Sequence, residues 1–165
     1  MPSSGSHQQG SAPYNTPCCL PHALSKLNGR TKKICPSTLR GVWNSALTAA
    51  LPGVAIRHVR TGKDAAAPPP PAPFGVPFVT IVSWSLTLKL VAANLPAFGA
   101  VIADETHKMK SPDAACTKAA VKFLRDAKRV ALLSGTPALN RPFELYEQVR
   151  GHGWRDARRA LALVF

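Results

Sequence analysis

Two short apolar runs, Ala100–Ala103 and Val130–Leu133, set most of what this chain can fold into. A strand that is apolar at every position has both faces covered, as strands in the middle of a parallel sheet do. The intervening Met109–Lys128 segment is about long enough for one crossover helix, so the two strands should run parallel, with a right-handed connection. Within it, Cys116, Ala119, Ala120, Phe123 and Leu124 fall on one helical face, and Lys118, Lys122 and Arg125 lie outside it. Each run ends in polar groups. The first delivers Asp104, Glu105 and His107, and the second delivers the turn Ser134-Gly135-Thr136-Pro137. Parallel sheets present their chemistry at the carboxyl ends of their strands. The expected fold class is therefore α/β, a mostly parallel sheet with helices on both faces.

Adjacent acids leaving a buried strand point in different directions and can divide two tasks. Nucleotide hydrolysis needs one carboxylate to hold hydrated magnesium and another to orient the attacking water. A lone Asp-Glu pair more often only opens a loop and favours the positive end of the next helix. His107 and the Ser-Gly-Thr-Pro turn favour the hydrolytic reading.

Asp104-Glu105-Thr106-His107 resembles the DExH box, motif II, of superfamily-two helicases and translocases. The stretch LLSGTPALNRPFELYEQ resembles motif III and its continuation in Swi/Snf-type DNA translocases, in particular the HepA-related annealing-helicase branch. Thr106 stands where that branch usually has serine or alanine. ICPSTLRGVW is similar to the motif Ia region and FVTIVSWSLTLKL to motif Ib, so the resemblance runs from Lys33 to Arg150. It implies part of a RecA-like ATPase lobe acting on duplex or forked DNA, at replication forks or in repair, in a nucleus. It also implies ATP and magnesium as cofactors. Asp104 would hold magnesium through water, Glu105 would activate the hydrolytic water, and His107, Ser134 and Thr136 would relay nucleotide state to the DNA side. The DNA-contacting candidates are Ser37, Thr38, Arg40, Ser83 and Lys110. Ser37 or Thr38 could equally cap the next helix, and Trp84, which sits with Ser83 at the strand's carboxyl end, is also explained by packing.

A phosphate loop needs G-x-x-x-x-G-K-[ST]. Around Gly29 the first glycine position is Leu24, and around Gly62-Lys63-Asp64 it is Arg57, with no hydroxyl residue following. The sequence lacks motif I, and the resemblance finds no second lobe after Arg150. A phosphate site without its lysine and amide cradle leads to the expectation of a fragment that does not hydrolyse ATP by itself.

The formal net charge of +13 points to polyanionic partners, and no acid precedes Asp64. A non-catalytic, basic nucleic-acid-binding module is thus the alternative. No run approaches the ~20 apolar residues of a membrane span. Residues 1–32, rich in Ser, Pro, Gly and Gln, read as poorly structured, and residues 33–150 as the partial lobe. A strand stub begins at Ile34, cut short by Lys32 and Lys33, and an open gap or disordered N-terminal chain should flank Asp104 on one side. The helix after it places Leu39, Val42, Trp43, Ala46, Leu47 and Ala50 inward, with Trp43 as core. The Ala/Pro stretch 65–77 should be an extended, solvated loop, read first as a loop insertion and second as a ligand for a proline-binding protein partner. Pro142 should start a helix over Phe143–Val149, and residues 151–165 read as a basic tail.

Overall fold

Lys32 and Lys33, expected to keep a strand from starting, lie inside one. The computed structural model describes residues 30–71, 76–93, 98–109, 111, 113–134 and 160–164. Strand β1 covers Arg30–Cys35 and is buried from Thr31 onward. The strand thus starts at Arg30 rather than Ile34, and the expected boundary between residues 32 and 33 falls within it. The reason is tertiary. β1 is paired on both edges, so its residues are enclosed whatever their polarity.

The remaining strands are β2 (Ala55–Val59), β3 (Phe78–Ser83), β4 (Ala100–Ala103), β5 (Arg129–Ser134) and β6 (Ala160–Val164). They form one sheet in the order β2-β3-β1-β4-β5-β6, and every neighbouring pair is parallel. The described α-helices are α1 (Arg40–Ala50), α2 (Gly62–Ala66), α3 (Thr87–Ala92) and α4 (Ala115–Asp126). They cover both faces, as the apolar runs required. One core joins Ile34, Val82 and Val101 to α3 through Leu90 and to α4 through Leu124. The other joins Cys35, Ile81 and Ile102 to α1 through Leu47, with Trp43 packed against it. Among the described residues no helix is long and apolar enough to cross a membrane.

Four local expectations change. The flank of Asp104 expected to be open is occupied by β1, whose Ile34 pairs with Ala103. The inward stripe of α1 is narrower than its periodicity suggests: Leu47 is buried, Ala50 is exposed and Val42 is 41% exposed. Neither Ser37 nor Thr38 makes a capping bond, because the chain enters α1 through a 3-10 turn, Ser37–Leu39, that follows Pro36. Ala65 and Ala66 are helical rather than part of the extended loop, because Thr61 and Asp64 form a capping box ahead of them. Ala67 is the first extended residue. That box also makes Gly62-Lys63 the first turn of a short helix.

The segment read as a basic tail contributes β6, which pairs with β5 from Val130↔Ala160 to Ser134↔Val164. Residues 1–29, the helix expected over 143–149 and part of the proline stretch (72–75) lie outside the described residues.

Candidate functional site

The parallel register aligns the carboxyl ends of four strands. Cys35 stands opposite Ser83, Ile34 opposite Ala103, and Ala103 opposite Leu132. Asp104 and Glu105 therefore leave a central strand at the same edge where β3 and β5 end. The Asp104 N–H extends the ladder by one bond, to Ile34 O at 2.8 Å.

Asp104 is the most heavily engaged residue of this edge. Its Oδ1 accepts from Glu105 N at 2.9 Å. Its Oδ2 accepts from Trp43 Nε1 at 2.6 Å and lies 3.6 Å from Lys33 Nζ. Its backbone carbonyl accepts from Trp84 Nε1 at 2.9 Å. Both tryptophans read from sequence as packing therefore also serve as donors to this one residue. Their signal was present: a buried indole N–H has to find an acceptor. Only the strand order shows which one.

Glu105 has φ 52°, the one non-glycine residue with positive φ among the described residues. A side chain in this left-handed region costs on the order of 1 kcal/mol or more, and such strain gathers at functional turns. Glu105 Oε2 lies 3.1 Å from His107 Nδ1. Between them Thr106 turns inward, 1% exposed, and its Oγ1 donates to Leu133 O at 3.0 Å. Among the described residues, Thr106, read from sequence only as a departure from the family pattern, thus supplies a side-chain hydrogen bond from the acidic turn to the end of β5. Ser134 is the half-buried last residue of β5. Thr136 and Lys110 lie outside the described residues.

The DNA-side candidates separate. Ser37 and Thr38 are exposed at the turn after β1. Arg40 donates through Nε to Ser37 O and through Nη1 to Val59 O, so its guanidinium ties that turn to the end of β2. Ser83 is a correction: it is 3% exposed and its Oγ lies 3.1 Å from Ser85 Oγ. The strand end buries Ser83 and leaves Ser85 as the exposed hydroxyl.

Beneath the site, Lys33 Nζ lies 3.2 Å from the Trp43 ring centroid, and its side chain is fully buried. Burial pushes its pKa down to about 7, and Asp104 pulls against that. Lys32 faces the other core, with Nζ 2.6 Å from the Phe123 centroid and 4.0 Å from that of Phe98. There burial, and then Arg57, push its pKa down to about 5.

A divalent cation of magnesium's kind needs oxygen ligands with lone pairs to give. At Asp104, N–H donors hold both carboxylate oxygens and an ammonium stands beside them. Among the described residues no group of three His, Cys, Asp or Glu side chains is placed to share an ion. Among the described residues this donor set, with Lys33 beside it, does not by itself suit a magnesium ion bound directly to Asp104.

Comparison with known proteins places the fold. No protein-family model matches the chain. It is 41% identical over 119 residues to the SWI/SNF-related matrix-associated actin-dependent regulator of chromatin subfamily A-like protein 1 of Bos taurus, covering 70% of this chain and 12% of that protein. The homologue in Caenorhabditis elegans is 35% identical over 118 residues, covering 71% and 17%. The DNA annealing helicase and endonuclease ZRANB3 of Mus musculus is 42% identical over 76 residues, covering 43% and 7%. The chain thus spans a small part of the relatives it matches. Among solved structures, a nuclease-deletion mutant of the Type ISP restriction-modification enzyme LlaGI, in complex with a DNA substrate mimic, superposes with a TM-score of 0.50. That match has 14% identity, covers 70% of this chain and 12% of that one, and speaks for the fold alone. Motif order, parallel topology and these identities agree: the chain belongs to the SWI/SNF-related annealing-helicase family and carries part of a RecA-like lobe.

Proposed function

We propose that this chain is a DNA-binding part of an annealing-helicase-type translocase lobe, working in the nucleus on duplex or forked DNA, and that by itself it does not hydrolyse ATP. The observation that carries the reading is the shared carboxyl edge of β1, β3 and β4. It sets the exposed Ser37-Thr38 turn and Ser85 on the same side of the sheet as the Asp104-Glu105 turn. Hydroxyls and amides at such turns suit phosphate oxygens. The exposed Lys118, Lys122 and Arg125 of α4 add positive charge that attracts the backbone without reading sequence. Glu105, His107, Ser134 and Thr136 keep the roles that the family resemblance suggests only where a phosphate loop supplies the nucleotide's other contacts. The 165 residues contain no G-x-x-x-x-G-K-[ST].

The test is duplex binding by fluorescence anisotropy across a salt series. Log affinity should fall with log salt, at a slope of roughly 0.9 per phosphate contacted, for a few contacts. A flat response would remove the DNA reading. Magnesium-ATP should give no turnover above background, and turnover abolished by Glu105→Gln would overturn the second half of the proposal.

A further inference from the structure

The surroundings of Asp104 suggest a use for it that the family resemblance does not. Lys33 Nζ is buried and has no hydrogen-bond partner among the described residues. Its contact with Asp104 Oδ2, at 3.6 Å, is too long for a hydrogen bond and is an ion pair only. Its other neighbour is the face of Trp43, whose N–H is turned to the same Oδ2 atom. One indole thus presents its ring to the ammonium and its donor to the carboxylate. The three groups come from β1, α1 and the end of β4, so only the assembled sheet brings them together.

A buried lysine needs a nearby negative charge or must give up its proton. Asp104 is the carboxylate in contact with it, and that carboxylate is only 14% exposed. A carboxylate so placed cannot serve a lysine and a divalent cation equally: a second positive charge at Oδ2 would stand against Lys33 inside a poorly solvated cluster. We propose that in this chain the Asp104 carboxylate is the internal counter-ion of Lys33, oriented by the Trp43 indole, and that Lys33 occupies the charge position a metal ion would otherwise take. This goes beyond the DNA-binding reading and holds whether or not the chain binds DNA.

The proposal makes the two substitutions depend on each other. Asp104→Asn strands a buried ammonium, so the folding constant of the full chain, from urea unfolding at pH 6, should fall on the order of a hundredfold. Adding Lys33→Met to that variant should return most of the loss, because nothing is then left unpaired. Equal cost of Asp104→Asn with and without Lys33→Met would overturn the proposal, as would a double variant that does not fold. If Asp104→Asn alone fails to fold while the double variant folds, the coupling is shown in its strongest form. A second measurement uses manganese(II), followed by the loss of its free-ion electron paramagnetic resonance signal. Wild type should show no binding that Asp104→Asn abolishes, up to several millimolar. Asp104-dependent manganese binding in wild type would overturn the proposal even if the unfolding data were coupled.

Discussion

β1 and β4 lie side by side in the middle of the sheet, paired from Thr31↔Ala100 to Ile34↔Ala103, and nearly every residue of both is buried. Their sequences could hardly differ more. β4 is Ala-Val-Ile-Ala, while the same level of β1 is Thr-Lys-Lys-Ile. Burying β4 stabilises the fold by roughly 25 cal/mol for each Å² of apolar surface removed from water. Burying β1 costs free energy at two positions, and the two lysines meet that cost differently. Lys33 sits beside a carboxylate and an indole. Lys32 lies against the rings of Phe98 and Phe123. The Lys32 geometry is that of a cation–π contact, but with its pKa pushed down to about 5 the group against the rings at physiological pH is a neutral amine rather than a cation. Position in a sheet is therefore set by pairing and topology, and polar residues caught there must be neutralised locally or bound to a charge.

The largest expected effect tests that contrast at Lys32. Lys32→Met removes an amine that must lose its proton on folding and keeps the stem's volume, so stability at pH 7 should rise by on the order of 3 kcal/mol. The pH dependence follows from the same groups. Unfolded Lys32 titrates near 10.5 and folded Lys32 near 5, so between these values the unfolded chain holds one more proton. Stability then falls as pH drops through that window, by about 1.4 kcal/mol per pH unit. Lys33 acts likewise between 10.5 and about 7. Wild type should thus gain stability from pH 7 to 9 in urea unfolding, and Lys32→Met should halve the gain. An unchanged slope would mean that Lys32 keeps its proton or reaches water.

A middle-sized effect concerns the two ties on the acidic turn. Trp84→Phe leaves Asp104 O without its indole donor, and Thr106→Val leaves Leu133 O without its hydroxyl. Each should cost about 1–2 kcal/mol, Trp84→Phe the more because it also shrinks a buried ring. Amide hydrogen exchange should separate them: Thr106→Val loosens the junction with β5, and Trp84→Phe the junction with β3. A neutral Thr106→Val would show that the Thr106 hydroxyl adds nothing to the pairing of β4 with β5.

The smallest effect sits at Glu105. Glycine adopts its positive φ without strain, and the half-buried Glu105–His107 pair is still wet enough to contribute little. Glu105→Gly should therefore stabilise by roughly 0.5 kcal/mol after the entropy cost of glycine. A loss above ~1 kcal/mol would mean that the pair with His107 holds the turn.

The apolar runs at Ala100 and Val130 and the crossover-length segment between them were enough, by themselves, to place two buried parallel strands with their polar ends together. That inference works because hydrophobic periodicity and loop length act locally along the chain. The acids at the strand end were legible for the same reason. Other features were decided only by tertiary structure. Two lysines read as a strand stop, because local pattern cannot know that both edges of β1 will be paired. Trp43 and Trp84 read as packing, because an indole's acceptor lies 61 and 20 residues away in sequence and becomes its neighbour only through the strand order. Ser83 read as a contact residue, because the register that buries it also exposes Ser85. The charge that faces Asp104 belongs to this last class: a carboxylate's partner is set by what the fold carries within a few ångströms, and a motif records only what precedes and follows it.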